Sequence, residues 1–149
     1  MYPIEEYIHG RCQIFALALG RTLNYRITIM WDAQLEDQPQ DWNEFDEPTE
    51  YGANLVHAYC TRDDGTYVDA SGTISRQAAE TDHGDCWEPD HREIQVSELN
   101  NLMAEGIVEA PAANELEELS RFIKANLDVY RDGSMHFDEG GEKVEFQVL

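Results

Sequence analysis

Three residues of this sequence carry the side chains that a nucleophilic acyl-transfer site requires. Cys12 begins the apolar stretch CQIFALALGRTL, His57 lies within LVHAYC, and Asp69 lies within YVDASG. A cysteine nucleophile needs a base, and the base needs a partner that orients it. If Cys12 stands in the first turn of a helix, the unpaired N–H groups there favour a thiolate and can also stabilise an oxyanion. The three residue types therefore predict cysteine chemistry, provided that the fold brings them together.

The segment between His57 and Asp69 decides whether their side chains can meet. Two strand-like stretches flank the turn sequence Arg62-Asp63-Asp64-Gly65, which predicts a β-hairpin. If the loop has three residues, with Gly65 left-handed, Arg62 pairs with Thr66. His57 and Asp69 then share one face of the sheet, diagonally offset, with roughly 7–8 Å between their backbones. A two-residue turn would pair Asp63 with Thr66 and send the two side chains to opposite faces, and the sequence leaves both registers open.

The elements that must position these residues are a helix and the strands after it. The stretch Cys12–Leu23 is apolar on nearly all sides, which predicts a helix buried on several sides, with Asn24 as its stop. Residues 25–31 are rich in β-branched and aromatic side chains and predict a central strand. Leu55–Thr61 and residues 66–70 then form the arms of the predicted hairpin.

The rest of the chain predicts short elements around this core. No internal repeat or Gly/Ser linker divides the sequence, so we expect one α+β domain over residues 1–149. Ser97 is expected to cap a helix that stops at Gly106. The other expected elements are a short helix over 74–80, a loop over 81–91, a strand over 93–96, helices over 97–104 and 114–126, and a terminal hairpin within 128–149 that turns at Asp132 and Gly133 or at Gly140 and Gly141.

The order of these segments resembles the core of papain-like and transglutaminase-like cysteine enzymes. The likeness covers about residues 9–72 and rests on GRCQIFALAL, LVHAYC and DGTYVDASG. In that superfamily a cysteine opens the central helix, and a histidine and an Asp or Asn follow on strands. The resemblance implies that Cys12 is the nucleophile, His57 the general base and acid, and Asp69 the residue that orients His57. It also implies a papain-like core, with a buried N-terminal helix on an antiparallel sheet, as in small bacterial or phage domains.

The residues around Cys12 depart from the papain pattern. Papain-type peptidases usually place a glutamine before the nucleophile to complete the oxyanion hole, and an aromatic residue after it. Here the first nearby glutamine is Gln13, after the cysteine, and no aromatic residue follows directly. Gln13, His9 and Arg11 are therefore the candidate oxyanion or substrate ligands, and His9 is also an alternative base. Arg11 and Arg62 could hold an anionic substrate, or could pair at the surface with the abundant carboxylates.

A second group of polar residues lies in TDHGDCWEPDH and contains His83, Cys86, Asp90 and His91. Its spacing loosely resembles a zinc site, but a tetrahedral site needs a full set of four ligands and no CxxC pair accompanies it. We therefore expect a polar surface loop held by Trp87, with no metal and no cofactor. Three cysteines without a CxxC pair also favour a reducing, cytoplasmic location.

The charge of the chain restricts its partners. The sequence has 31 Asp and Glu against 10 Lys and Arg, for a formal net charge of −21. At that charge we expect no direct binding of nucleic acid and none of a membrane, and no segment is apolar enough to span one. Six carboxylates of the acidic loop predicted over 32–53 are candidate partner-binding residues: Glu36, Asp37, Asp41, Glu44, Asp46 and Glu47.

Three functional hypotheses follow from the sequence. The first is a cysteine-dependent acyl-transfer enzyme (peptidase, deamidase or transglutaminase-like), with a protein or a small amide or thioester as substrate. The second is a non-enzymatic acidic inhibitor or adaptor, such as a phage-encoded anti-defence protein, that imitates nucleic-acid charge and occupies the groove of a basic nucleic-acid-binding protein. The third is a salt-adapted surface, because only Lys124 and Lys143 are lysines while arginines number eight.

Overall fold

The computed structural model describes residues 3–8, 10–32, 55–81, 89–138 and 140–145. The first five strands form an antiparallel sheet in the order β4-β3-β2-β1-β5, and β6 pairs with β7. The elements are α1 (Ile4–Ile8), α2 (Cys12–Leu23), β1 (Arg26–Asp32), β2 (Leu55–Thr61), β3 (Tyr67–Asp69), β4 (Gly72–Ile74), α3 (Arg76–Thr81), β5 (Pro89–Ile94), α4 (Val96–Ala104), α5 (Glu115–Lys124), α6 (Leu127–Tyr130), β6 (Met135–Phe137) and β7 (Lys143–Glu145).

The helix α2 is the centre of the core and begins at Cys12, as predicted. Its residues from Cys12 to Gly20 are all buried, because α2 packs against β2 on one side and against α5 on another. Apolar side chains from the sheet and from α5 pack in the same core, including Ile27 of β1, Cys60 of β2 and Leu119 of α5. Asn24 ends the helix in a left-handed conformation, with φ 60°. The prediction of a helix buried on several sides is confirmed.

The hairpin between β2 and β3 adopts the three-residue register. Cys60 pairs with Val68 and Thr61 with Tyr67, and the Arg62 N–H donates to the Thr66 carbonyl at 2.8 Å. Gly65 closes the loop with φ +89°, a conformation that glycine adopts without the cost that a Cβ atom imposes. The register that puts His57 and Asp69 on one face is therefore the one present.

Several predicted boundaries after the hairpin are wrong. Ile74 belongs to β4, so the short helix begins at Arg76. Asp90 and His91 lie in β5 and not in a loop, because they pair with Trp31 and Met30 of β1. Cross-strand hydrogen bonds to β1 decide this assignment, and the local sequence does not contain that information.

The C-terminal half differs from prediction at helix starts. Helix α4 begins at Val96, and the Gln95 N–H donates to the Glu98 carboxylate at 3.1 Å, so Ser97 is inside the helix and is not its cap. The expected terminal hairpin is present as β6 and β7 with its turn at Gly141, but α6 precedes it as a short helix. In the part of the chain that is described, none of the helices combines the length and apolar character of a bilayer span.

Candidate active site

Cys12, His57 and Asp69 meet where α2 begins and where β2 and β3 extend past their paired residues. His57 Nε2 lies 3.1 Å from Asp69 Oδ2, and both side chains are buried. Strands β2 and β3 pair through Cys60 with Val68 and Thr61 with Tyr67. The His57–Asp69 contact therefore joins the two strands beyond these paired residues. The Cys12 thiol lies close enough to the same imidazole to raise its pKa.

The Asp69 carboxylate is held from its other oxygen by Ser71. Asp69 Oδ1 accepts hydrogen bonds from the Ser71 N–H at 2.9 Å and from the Ser71 hydroxyl at 2.5 Å. These two bonds fix the plane of the carboxylate and leave Oδ2 directed at His57. Ser71 was not among the predicted site residues, although Asp followed two residues later by Ser is a known signal for this local turn.

The electrostatics of the buried pair favour an imidazolium beside a carboxylate. Burial alone would lower the pKa of His57, but the hydrogen bond to Asp69 and the electrostatic influence of Asp69 and Cys12 raise that pKa to about 10. Burial would raise the pKa of Asp69, and the hydrogen bonds from His57 and Ser71 instead hold it below its ordinary value. The geometry thus provides a buried series of hydrogen bonds from Ser71 through Asp69 to His57, and Cys12 acts on the charge of that imidazole.

Cys12 is nearly enclosed, with 4% of its surface exposed. Its Sγ also lies 3.7 Å from Gln13 Oε1, and Gln13 Nε2 donates to the Glu109 carbonyl at 3.2 Å. Gln13 therefore links the start of α2 to the segment that precedes α5, and its amide lies directly beside the thiol. Its role as an oxyanion ligand stays a prediction.

Arg11 binds the same segment through its guanidinium. It pairs with the carboxylates of Glu109 and Glu115, and Glu115 accepts further hydrogen bonds from the Tyr7 hydroxyl at 2.5 Å and the Ala112 N–H at 2.8 Å. These contacts join α1, the start of α2 and the start of α5. The sequence also predicted that Arg11 could pair with carboxylates, and the structure shows this pairing. A substrate role for Arg11 stays a prediction.

Arg62, the other predicted anion ligand, has a structural role. It is 5% exposed and donates through Nε to the Tyr130 carbonyl and through Nη2 to the Val129 carbonyl, each at 3.0 Å. Its Nη1 reaches the hydroxyls of Thr66 and Thr73 at 3.2 and 3.0 Å. The expected surface pairing of Arg62 with carboxylates is wrong, because the guanidinium instead donates to the carbonyl groups at a buried helix end.

The second polar group is split between described and undescribed residues. His91 lies on β5, where Nδ1 contacts the Tyr59 hydroxyl at 3.0 Å and Nε2 contacts Glu80 Oε1 at 2.7 Å. Among the described residues, no group of three or more His, Cys, Asp or Glu side chains could hold a metal ion. Several predicted residues lie outside the described residues: His83, Cys86 and Trp87, the alternative base His9, and the six acidic candidates between Glu36 and Glu47.

The other described thiol contrasts with Cys12. Cys60 donates to the Ala16 carbonyl of α2 at 3.3 Å and is fully buried, and burial raises its pKa strongly. It therefore has a packing role, whereas Cys12 raises the pKa of the His57 imidazole. In comparisons with known proteins, no family model, no curated protein and no solved structure matches this chain.

Proposed function

We propose that this protein is a cysteine-dependent acyl-transfer enzyme with a papain-like or transglutaminase-like core, acting in the cytoplasm. Cys12 is the nucleophile, His57 the general base and acid, and Asp69 the residue that orients His57. The observation that carries the proposal is the 3.1 Å contact of His57 Nε2 with Asp69 Oδ2, on a buried imidazole whose pKa Cys12 also raises. A base held by a carboxylate and joined to a nucleophile is the arrangement that covalent acyl transfer requires.

The reaction proceeds in two balanced halves. His57 carries the proton of the Cys12 thiol as an imidazolium, the Cys12 sulfur attacks a carbonyl carbon, and a tetrahedral oxyanion forms. The bond to the leaving amine or thiol breaks as His57 returns the proton to that group, which leaves a thioester on Cys12. Water or an amine then attacks the thioester, His57 takes the proton of the attacking group and gives it to the departing sulfur, and the free thiol is restored. Substrates of this class are peptide bonds, glutamine side-chain amides, and small amides or thioesters.

The test uses an activated acyl ester, such as p-nitrophenyl acetate, on the folded protein. We expect release of nitrophenol and an acetyl group located on Cys12 by peptide mass spectrometry. Cys12→Ala should abolish both and keep the circular-dichroism spectrum of the wild type. Cys60→Ala is the matched control, because it removes a buried thiol that packs against α2 and donates to the Ala16 carbonyl, and it should acylate like the wild type. Equal acylation of Cys12→Ala would end the proposal.

The charge of −21 supports a second candidate function, that of an acidic inhibitor or adaptor. Its candidate residues lie between Glu36 and Glu47, and it needs no thiol. Under this function, binding to a basic nucleic-acid-binding protein would weaken steeply with salt and would survive Cys12→Ala unchanged. Loss of acylation in that variant together with unchanged binding would indicate that the two functions coexist.

A further inference from the structure

The sheet has a second face, which carries a pocket unrelated to the packing of α2. Successive strand residues point to opposite faces, and Ile27, Ala58 and Cys60 belong to the core that contains α2. Thr28 follows Ile27 on β1, and Tyr59 lies between Ala58 and Cys60 on β2. Both side chains therefore point away from α2. They lie in the floor of a pocket of about 340 Å³, within the usual size range of small-ligand sites.

Hydrogen bonds hold the floor of the pocket rigid. The buried Tyr59 hydroxyl contacts His91 Nδ1, and His91 Nε2 contacts Glu80 of α3. The Tyr67 ring meets the Tyr59 ring edge-on, with 5.2 Å between centroids. Thr28 and Thr61 add hydroxyl donors to the same surface. A prearranged set of donors beside aromatic walls reduces the ordering that a ligand must impose.

Two arginines line this pocket in a chain that has few cations. Arg26 contacts Glu93 through Nη1 at 3.2 Å, but both side chains are about half exposed, so that ion pair contributes little and can be exchanged. Among the residues that the structure describes, no acidic side chain forms an ion pair with Arg76. Arg76 lines the pocket together with Tyr59. Burial raises the pKa of Tyr59 to about 12, and the charge of Arg76 opposes that rise.

We propose that this pocket binds a small ligand through a phosphate or carboxylate group held by Arg26 and Arg76. Guanidinium groups bind both oxyanions with paired hydrogen bonds, and the threonine hydroxyls can donate to the remaining oxygens. The net charge of −21 opposes an anion at long range, but at physiological salt that field is screened beyond about 8 Å. The contacts within the pocket therefore decide binding. The proposal does not depend on catalysis by Cys12.

The test is an NMR titration of the ¹⁵N-labelled protein with inorganic phosphate and, separately, with succinate. We expect saturable shifts of the Thr28, Thr61 and Tyr67 amides with at least one of the two anions. Arg76→Gln should weaken that binding about tenfold. Arg76→Lys should recover only part of it, because lysine keeps the charge without the paired donors.

Two variants keep this test separate from other effects. Arg121→Gln makes the same charge change on exposed α5, away from the pocket, and should leave the affinity within about twofold. Cys12→Ala should bind like the wild type, so failure of the acyl-transfer proposal would not affect this one. Shifts that do not saturate with either anion, or equal weakening by Arg76→Gln and Arg121→Gln, would overturn the proposed site.

Discussion

His57 is the residue on which the proposed chemistry depends, because it contacts the Asp69 carboxylate and its pKa responds to the Cys12 thiol. Its raised pKa depends on Asp69 and Cys12 acting against burial. Asp69→Asn keeps the shape of the side chain and removes the charge, so the pKa of His57 should fall from about 10 towards or below the ordinary 6.5. An NMR titration of the His57 ring nitrogens measures this fall.

The matched control for that titration is Asp64→Asn. Asp64 lies in the turn of the same hairpin, and its carboxylate accepts from the Thr66 N–H and hydroxyl at 3.0 and 2.6 Å, at the surface. The variant should leave the pKa of His57 where it is. A His57 that titrates alike in the wild type and in Asp69→Asn would show that the carboxylate does not control the base.

The pH dependence of stability is a second prediction at the residue scale. Because the pKa of folded His57 lies above the 6.5 of the unfolded chain, the imidazolium stabilises the fold fully below about pH 6.5. That contribution is lost as pH rises towards 10, with a slope of at most about 1.4 kcal/mol per pH unit. His57→Gln lacks it, so the difference in unfolding free energy between wild type and variant should shrink from pH 6.5 to pH 9.5. Urea unfolding across this range gives the measurement, and a constant difference would contradict the prediction.

At the scale of elements, Arg62 joins the β2–β3 hairpin to α6. Its guanidinium donates to the carbonyls of Val129 and Tyr130, which lie at the end of that helix. Arg62→Met would leave these buried acceptors unsatisfied and should lower the unfolding free energy by about 3 kcal/mol. Arg62→Lys should lower it less, because the ammonium can still donate to one or two of the acceptors.

Urea unfolding measures the effect, and Arg131→Met is its control. Arg131 is exposed and pairs with its neighbour Asp132 at 2.8 Å, so its loss should leave the unfolding free energy close to that of the wild type. A loss below about 1 kcal/mol for Arg62→Met would mean that water replaces the guanidinium at the helix end.

The part of the site that could be predicted is the part that local rules determine. The turn residues with Gly65 allow a three-residue loop, that loop sets the register, and the register puts His57 and Asp69 on one face. The strand assignment of His91 and the buried position of Arg62 depend on partners far along the chain. Spacing within one segment carries no information about those partners, which is why both predictions were wrong.

The position of Cys12 relative to His57 belongs to the same non-local class, and it was expected only from the resemblance to cysteine enzymes. It requires α2 to pack on the sheet at one depth, so that its first turn reaches the imidazole. The continuous buried stretch from Cys12 to Gly20 supports that packing, but an apolar helix predicts burial without predicting depth. Packing of complementary shapes, which no short motif encodes, therefore completes the site.

At the scale of the whole molecule, the charge of −21 makes stability depend on salt. Salt screens the mutual repulsion of 31 acidic residues, which stabilises the fold. Salt also weakens ion pairs such as Arg26 with Glu93, but these pairs are exposed and contribute little to stability, so that loss is small. The midpoint of thermal unfolding should therefore rise by about 4 °C between 10 mM and 0.3 M NaCl. Differential scanning calorimetry at constant pH measures it, and a flat or falling midpoint would contradict the prediction.

The same salt series separates two explanations of the acidic surface. Repulsion between charges is mostly screened by about 0.3 M, where the Debye length is below 8 Å, so a surface shaped for a basic partner should gain little stability above that concentration. A surface adapted to a salt-rich habitat should continue to gain into the molar range and should lose structure at low salt. We expect the plateau. A midpoint that climbs steadily to 2 M would assign the charge to habitat, and the acidic residues would then no longer support a partner-binding function.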